Sequence, residues 1–103
     1  MAFVPGQRWI SNAEPELGLG TVVRIEGRTV QVLFATAGVL RQYAMQAAPL
    51  TRAEFRIGQK VAGQRRSFVI ERISTQGGML TYHGGGLALP EAELDDTQPI
   101  SRA

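Results

Sequence analysis

His83 is the first side chain to consider for chemistry, because an imidazole can serve as a general base or as a metal ligand near neutral pH. It is the only histidine, and the chain has no cysteine, so a catalytic nucleophile would have to be a serine or threonine. No spacing in the sequence supports such a pair, and one imidazole without partners makes a poor metal site. We therefore expect His83, in the segment TYHGGG, to close a strand beside a turn.

Two glycine patterns and one acidic cluster could indicate nucleotide or cation binding. Residues 17–22 (LGLGTV) begin like a dinucleotide fingerprint, but Val23 replaces the third glycine and a strand pattern follows. Residues 58–65 (GQKVAGQR) space two glycines as a phosphate loop does, but Gln and Arg follow where Lys and Ser or Thr are required. The acidic cluster lacks the spacing of a calcium loop and is expected to form a solvated edge; it comprises Glu91, Glu93, Asp95 and Asp96. The sequence predicts no catalysis, no cofactor and no metal site.

Positive charge is concentrated in the middle of the chain, although the net charge is only +2. Between Arg52 and Arg72 there are six cations and two anions. Such a stretch can attract RNA or DNA, and it is also typical of a solvated surface of strands and loops. Adjacent residues in a strand point to opposite faces, so at least one of Arg65 and Arg66 should reach solvent. The candidate phosphate-binding residues are Arg52, Arg56, Lys60, Arg65 and Arg66.

The elements that would position these residues are short β-strands. Residues 21–26 (TVVRIE) and 29–34 (TVQVLF) are β-branched runs separated by a glycine turn, which predicts a hairpin. No window of eleven or more residues has convincing helical periodicity. The further predicted strands are 39–45 (VLRQYAM), 67–74 (SFVIERIS), 79–84 (MLTYHG) and 87–94 (LALPEAEL).

Two segments of the chain nearly repeat one another, PGQRWIS at residues 5–11 and IGQKVAG at residues 57–63. The order of the following strands is repeated as well. The pattern predicts an all-β fold of two tandem units, residues 1–51 and 52–103, each a small, strongly bent antiparallel sheet. Each unit alone would bury little apolar surface, so the two should pack against each other. A single sandwich made of all the strands is the alternative.

The absence of cysteine fits a reducing compartment. No apolar run approaches the roughly 20 residues that a membrane-spanning helix needs, and the start MAFVPGQRW has no signal-peptide pattern. We expect a cytoplasmic protein without a membrane partner.

The segments PGQRWISNAEPELGLGTVVRIEGRTVQVLF, RQYAMQAAPLTRAEFRIGQ, MLTYHG and LPEAEL closely resemble the N-terminal region of the RapA (HepA) family. This family comprises bacterial RNA polymerase-associated ATPases of the Swi/Snf class. The resemblance covers nearly the whole chain, and GQRWIS and ELGLGT are its most specific parts. It implies a pair of Tudor-like, SH3-type barrels ahead of an ATPase motor. The motor's phosphate loop is not in this sequence, so the chain resembles an isolated N-terminal fragment, and its second half looks shortened at residues 63–68 and 84–89.

The function implied by the resemblance is a non-catalytic regulatory module that contacts core RNA polymerase and restrains the motor of its parent chain. The predicted partner-binding residues are Arg8, Trp9, Leu17, Leu19, Arg41 and Tyr43, since an aromatic and two cations flank an apolar loop that a monomer has little reason to expose. Trp9 is equally compatible with core packing. The alternative function is RNA or DNA binding through the basic stretch from Arg52 to Arg72. Salt would weaken such binding far more steeply than it would weaken a protein interface with an apolar centre.

Overall fold

The computed structural model describes residues 3–100. Residues 1–2 and 101–103, at the ends of the two predicted units, lie outside the described residues. The described part is all-β, with short 3-10 turns and no α-helix. It contains no helix that is long and apolar enough to cross a membrane. The strands are β1 Arg8–Ser11, β2 Leu19–Glu26, β3 Thr29–Phe34, β4 Val39–Ala44, β5 Leu50–Arg52, β6 Lys60–Gly63, β7 Arg66–Val69, β8 Arg72–Gln76, β9 Met79–Gly84 and β10 Leu87–Pro90, and the 3-10 turns are Pro15–Leu17, Met45–Ala47 and Glu91–Glu93.

The strands form three sheets, and all strand pairs are antiparallel. A five-stranded sheet has the order β4-β3-β2-β1-β5, a second sheet pairs β6 with β7, and a third has the order β10-β9-β8. Within residues 3–100, none of these sheets closes into a barrel by strand pairing. A bulge at Val23 interrupts the ladder between β2 and β3 and increases the local twist. The prediction of an all-β fold with antiparallel sheets is confirmed.

The strand predicted at residues 67–74 is instead two strands. Between β7 and β8, the Ile70 N–H donates to the carbonyl of Gln59 and the Glu71 N–H donates to the carbonyl of His83. The chain therefore changes its pairing partner at this point and continues into a different sheet. The strand predicted at residues 87–94 ends at Pro90, and a 3-10 turn follows.

Two separate groups of buried side chains lie inside the molecule. Each group is built from the inward positions of neighbouring strands, where alternation places apolar residues on one face. The first comprises Phe3, Trp9, Leu17, Val22, Val30, Val32 and Phe34. The second comprises Phe55, Val61, Phe68, Ile70, Tyr82, Leu89 and Leu94.

The glycines of the two Gly-Gln dipeptides have nearly the same φ. Gly6 has φ +97° and Gly58 has φ +94°, a region that residues with a Cβ rarely occupy. The Gly6 N–H donates to the carbonyl of Val22, and the Gly58 N–H donates to the carbonyl of Ile70, both at 2.8 Å. The sequence repeat is thus a structural repeat at these turns.

The glutamines of the two dipeptides also have equivalent contacts. The Gln7 side-chain oxygen accepts from the Val4 N–H at 3.0 Å, and the Gln59 side-chain oxygen accepts from the Arg56 N–H at 2.5 Å. Each side chain therefore closes the turn that precedes its own strand. This explains why the chain repeats Gly-Gln rather than glycine alone.

Candidate protein-interaction surface

Strand β4 forms one edge of the five-stranded sheet, and its outer side has no strand partner among residues 3–100. The Met45 N–H donates to the carbonyl of Arg28 at 2.9 Å just beyond the strand. Hydrogen-bonded and non-hydrogen-bonded pairs alternate along an antiparallel ladder. Since Met45 bonds to the β3 side, every second residue before it, at positions 43, 41 and 39, also directs its backbone groups to β3. Those of Leu40, Gln42 and Ala44 point outward.

Apolar side chains are exposed on the face of the sheet beside this edge. Leu40 is 54% exposed and lies opposite Leu33, which is 37% exposed, on the neighbouring strand. Val23, at the bulge of the next strand, is 43% exposed. We call these three residues the β4 patch. Exposed apolar side chains that face one another across neighbouring strands, as Leu33 and Leu40 do, are typical of a surface that another molecule covers.

A cleft with a volume of about 590 Å³ lies past the end of β4. The rings of Phe3 and Trp9, whose centroids are 4.7 Å apart, form its apolar floor. The Arg52 guanidinium carbon lies 5.7 Å from the centre of the Trp9 ring, a cation–π distance. We call this feature the Trp9 cleft; it is lined by Phe3, Trp9, Gly27, Arg28, Ala44, Met45, Gln46, Ala48 and Leu50.

Four of the six predicted partner-binding residues are buried. Trp9 is 2% exposed and belongs to the first core, so the structure agrees with the alternative interpretation, core packing, for this residue. Leu17 is 8% exposed and Leu19 is 1% exposed, so the expectation that their loop presents an apolar surface is wrong. Leu17 packs into the first core instead. Participation of these residues in partner binding stays a prediction.

Arg41 and Tyr43, the other two predicted residues, lie on β4. The Arg41 guanidinium donates from Nε and Nη2 to the two carboxylate oxygens of Glu14, each at 3.1 Å. This contact lowers the pKa of the Glu14 carboxyl, and it raises the pKa of Arg41. The Tyr43 hydroxyl is buried and has no hydrogen-bond partner among the described residues.

Arg8 connects the two halves of the chain. Its side chain is 1% exposed and donates to the carbonyl of Gly20 at 3.2 Å, to that of Leu94 at 2.8 Å and to the carboxylate of Asp96 at 2.6 Å. Burial lowers the pKa of the guanidinium, and the charge of Asp96 opposes that effect. Arg8 is therefore buried between the two halves of the chain, and its side chain does not reach the surface.

Glu91 is a buried acidic residue. The prediction that it lies on a solvated edge is therefore wrong. It is 0% exposed. Its carboxylate accepts from Arg52 Nη2 at 2.5 Å and Nε at 3.2 Å, from the Arg8 N–H at 2.8 Å and from the Leu80 N–H at 2.5 Å. Four donors from both halves of the chain thus satisfy one carboxylate. The apolar neighbours Leu89 and Leu94 were the only sequence signal of its burial.

The other predicted phosphate-binding residues are on the surface. Arg56, Lys60, Arg65 and Arg66 are exposed and have no ion-pair partner among residues 3–100. Arg65 lies in the turn between β6 and β7 with φ +62°, so the strand alternation expected for Arg65 and Arg66 does not apply. Arg52, in contrast, is engaged by Glu91.

The described residues contain no group of three His, Cys, Asp or Glu side chains that could hold a metal ion. His83 lies on β9, where its Nε2 is 2.8 Å from the Ser74 hydroxyl. No carboxylate contacts this pair in residues 3–100, so the arrangement lacks the third group that orients a catalytic base.

Comparison with known proteins identifies the family to which the first part of the chain is similar. The sequence profile of the RapA N-terminal Tudor-like domain 1 matches residues 3–53. Through these residues, the chain belongs to the RapA N-terminal Tudor-like family. The match spans the whole five-stranded sheet, whose last strand ends at Arg52. The β4 patch and the residues lining the Trp9 cleft all lie inside this RapA family region.

Similarity to RapA proteins extends beyond that region. The chain is 39% identical over 100 residues to the RNA polymerase-associated protein RapA of Pseudomonas fluorescens (strain Pf0-1), which covers 91% of the chain. It is 40% identical over 97 residues to the protein of the same name from Pseudomonas aeruginosa (strain LESB58), which covers 93% of the chain. In both cases the chain spans only 10% of the length of the relative.

Proposed function

We propose that the chain is a non-catalytic regulatory module that docks on bacterial RNA polymerase in the cytoplasm. The similar Pseudomonas proteins are named RNA polymerase-associated. The observation that carries the proposal is the β4 patch beside an open strand edge, because such a surface is suited to a protein partner. In a longer parent chain of RapA type, the same module would act on an ATPase motor.

The proposed module consists of two tandem Tudor-like units with strongly bent sheets, residues 1–51 and 52–103. Two separate cores and the equivalent turns at Gly6 and Gly58 support this division. The buried contacts of Arg8 with Glu91 and Leu94 would hold the units in one orientation. A fixed orientation would let both units contact one partner surface.

Among the predicted partner-binding residues, Arg41 and Tyr43 are proposed to contact the polymerase from β4. Arg41 supports this role because its side chain is 42% exposed on the same edge strand as Leu40 of the β4 patch, on the opposite face of the sheet. Arg8, Trp9, Leu17 and Leu19 are buried, so their proposed role is to hold the shape of the docking surface.

Nucleic-acid binding is the second candidate function. The supporting observation is that Arg56, Lys60, Arg65 and Arg66 are exposed and have no ion-pair partner among residues 3–100. Unpaired cations gain most from contact with phosphates, since no carboxylate has to be displaced. Arg52 is a weaker candidate because its guanidinium is paired with Glu91.

The two functions are separated by measuring the binding of the chain to core RNA polymerase and to a short single-stranded RNA at low and moderate salt. Docking predicts polymerase binding that changes little with salt, because an apolar centre is not screened. Nucleic-acid binding predicts RNA affinity that falls steeply with salt and is lost when Arg65 and Arg66 are replaced by alanine. Absence of polymerase binding at both salt concentrations would refute the proposed docking.

A further inference from the structure

We infer that the partner adds an extended segment of its own chain to β4 as a further strand and places an apolar side chain in the Trp9 cleft, with a carboxylate next to Arg28. This inference rests on the proposed docking function and names the chemistry of the docking segment. The occupant is a stretch of polypeptide that carries apolar and acidic residues.

The backbone of β4 supplies the first argument. The N–H and C=O groups of Leu40, Gln42 and Ala44 point away from β3, and no other described residue bonds to them. These groups repeat at every second residue, which is the spacing of a partner strand and not that of a helix or a small ligand. An added strand would satisfy all of them at once.

The side chains beside the edge supply the second argument. An added strand would place alternate side chains on the outer face of the sheet, next to Leu40 and, beyond it, Leu33. Both leucines are already exposed on that face. Apolar side chains of the partner would cover them, while its other residues would face away from the sheet.

The second half of the chain provides an internal comparison. Strand β10 is the edge that corresponds to β4, since each is the last strand of an antiparallel run of three, β2-β3-β4 and β8-β9-β10, and pairs with the preceding strand. The Ala88 carbonyl of β10 accepts a long hydrogen bond from Arg66 Nη1 at 3.5 Å, and Pro90 has no N–H to donate. Proline and covering side chains are common means of blocking an edge strand. Among residues 39–44 there is neither, so of these two corresponding edges only β4 is open.

The residues that line the Trp9 cleft indicate which side chain of the partner would be held there. It begins at Ala44, where β4 ends, so a strand paired with β4 leads directly to it. Its floor is aromatic and its wall includes Met45, whose flexible side chain adapts to different apolar groups. Arg28 lines the cleft and has no ion-pair partner among residues 3–100, so an acidic residue of the partner would pair with it.

The test measures binding of core RNA polymerase to the chain and to four variants. Leu40→Lys places a charge in the contact, Gln42→Pro removes an outward N–H, and Arg28→Glu reverses the charge at the cleft. Each is expected to weaken binding by about tenfold or more. Leu87→Lys on β10 is the matched control. Leu87 is an exposed leucine like Leu40, with 37% of its surface accessible, but it lies on the blocked edge, so this variant should bind like the unchanged chain.

Amide hydrogen exchange provides a second readout that does not depend on the variants. The amides of Leu40, Gln42 and Ala44 should exchange rapidly in the chain alone and become protected when polymerase is added. If Gln42→Pro fails to fold, the other variants and this protection decide the question. Undiminished polymerase binding by Leu40→Lys with unprotected β4 amides would overturn the inference and leave the docking function intact. Failure of the unchanged chain to bind would overturn both.

Discussion

The carboxylate of Glu91 is fully buried and accepts two hydrogen bonds from the guanidinium of Arg52. Arg52 ends the five-stranded sheet and Glu91 follows β10, so the pair joins that sheet to the end of the three-stranded sheet. A buried carboxylate is strongly unfavourable unless donors replace its lost hydration. Here the Leu80 and Arg8 amides supply the remaining donors, so folding of each half favours docking of the other.

Replacing Glu91 by alanine should therefore lower the free energy of unfolding by about 3–5 kcal/mol, because it leaves the Arg52 charge and two amides without their acceptor. Urea unfolding followed by circular dichroism measures the loss. Glu93→Ala is the control: Glu93 is exposed and bonds to Gln64, so its removal should change stability by no more than about 0.5 kcal/mol. Equal losses in the two variants would contradict the assignment of Glu91 as an internal tie.

Each half of the chain contains a close contact between a glycine of one strand and a phenylalanine ring of another. In the first half the glycine comes first along the chain, and in the second half the phenylalanine comes first. In the first half, a Cβ added to Gly20 of β2 would lie 2.6 Å from the Val32 side chain and 2.7 Å from the Phe34 ring, both of β3. In the second half, the phenylalanine is Phe68 of β7, and a Cβ added to Gly84 of β9 would lie 2.9 Å from its ring and would also clash with the Val69 backbone carbonyl. In both halves a phenylalanine ring thus lies where a side chain on the glycine would have to go.

Gly20→Ala should consequently destabilise the protein by about 1–3 kcal/mol through overpacking. In a Phe34→Leu background the added methyl has more room, so the cost should fall by at least about 0.5 kcal/mol in a double-mutant cycle. The control background is Phe55→Leu in the second core, where the cost should be unchanged. If the cost is the same in all three backgrounds, the ring contact does not restrict this position.

The strands and the repeat could be predicted from the sequence because they depend on local pattern. Alternating β-branched residues on either side of a glycine turn were sufficient for the hairpin of β2 and β3. The equivalent turns at Gly6 and Gly58 were indicated by two matching dipeptides. In each case the information lies within a few neighbouring residues, where propensity and turn chemistry decide the conformation.

The candidate site was less accessible to prediction, because burial of a charged residue depends on distant partners. Strand alternation would expose either Arg8 or Trp9, yet both are buried, since β1 is flanked by two strands and the second half packs on Arg8. Glu91 lies 39 residues from Arg52, so nothing local marks it as that residue's partner. The open edge of β4 follows from the strand order, which the sequence pattern leaves undetermined.

The turn between β6 and β7 is expected to gain stability from glycine. Gln64 and Arg65 have φ +51° and +62°, the region that two-residue hairpin turns usually fill with Asn-Gly. Arg65→Gly should raise the free energy of unfolding by about 1 kcal/mol, because it removes the steric cost of the left-handed conformation. Thermal unfolding measures the gain. The control Arg66→Gly lies in β7 and should instead lose about 0.5–1 kcal/mol; a loss in both variants would show that the turn is not strained.

The protein should lose stability at high pH through Tyr82. Burial raises the pKa of its hydroxyl to about 12, although the hydrogen bond donated by the Phe55 N–H opposes the shift. In the unfolded chain a tyrosine ionises near pH ~10, so the unfolded state releases the proton first as the pH rises. The contribution of the protonated hydroxyl is therefore complete below pH ~10 and is lost progressively up to pH ~12, by about 2 kcal/mol in all.

Urea unfolding between pH ~8 and pH ~11.5 should show this decline in the unchanged chain, and the loss should be reversible on return to neutral pH. Tyr82→Phe is less stable at pH ~8, because the Phe55 N–H loses its acceptor, but its stability should fall less over the same range. Subtracting the two curves removes the contribution of the other groups that titrate in this range. Parallel curves would show that Tyr82 ionises equally easily in the folded and unfolded states, which is incompatible with its burial in the second core.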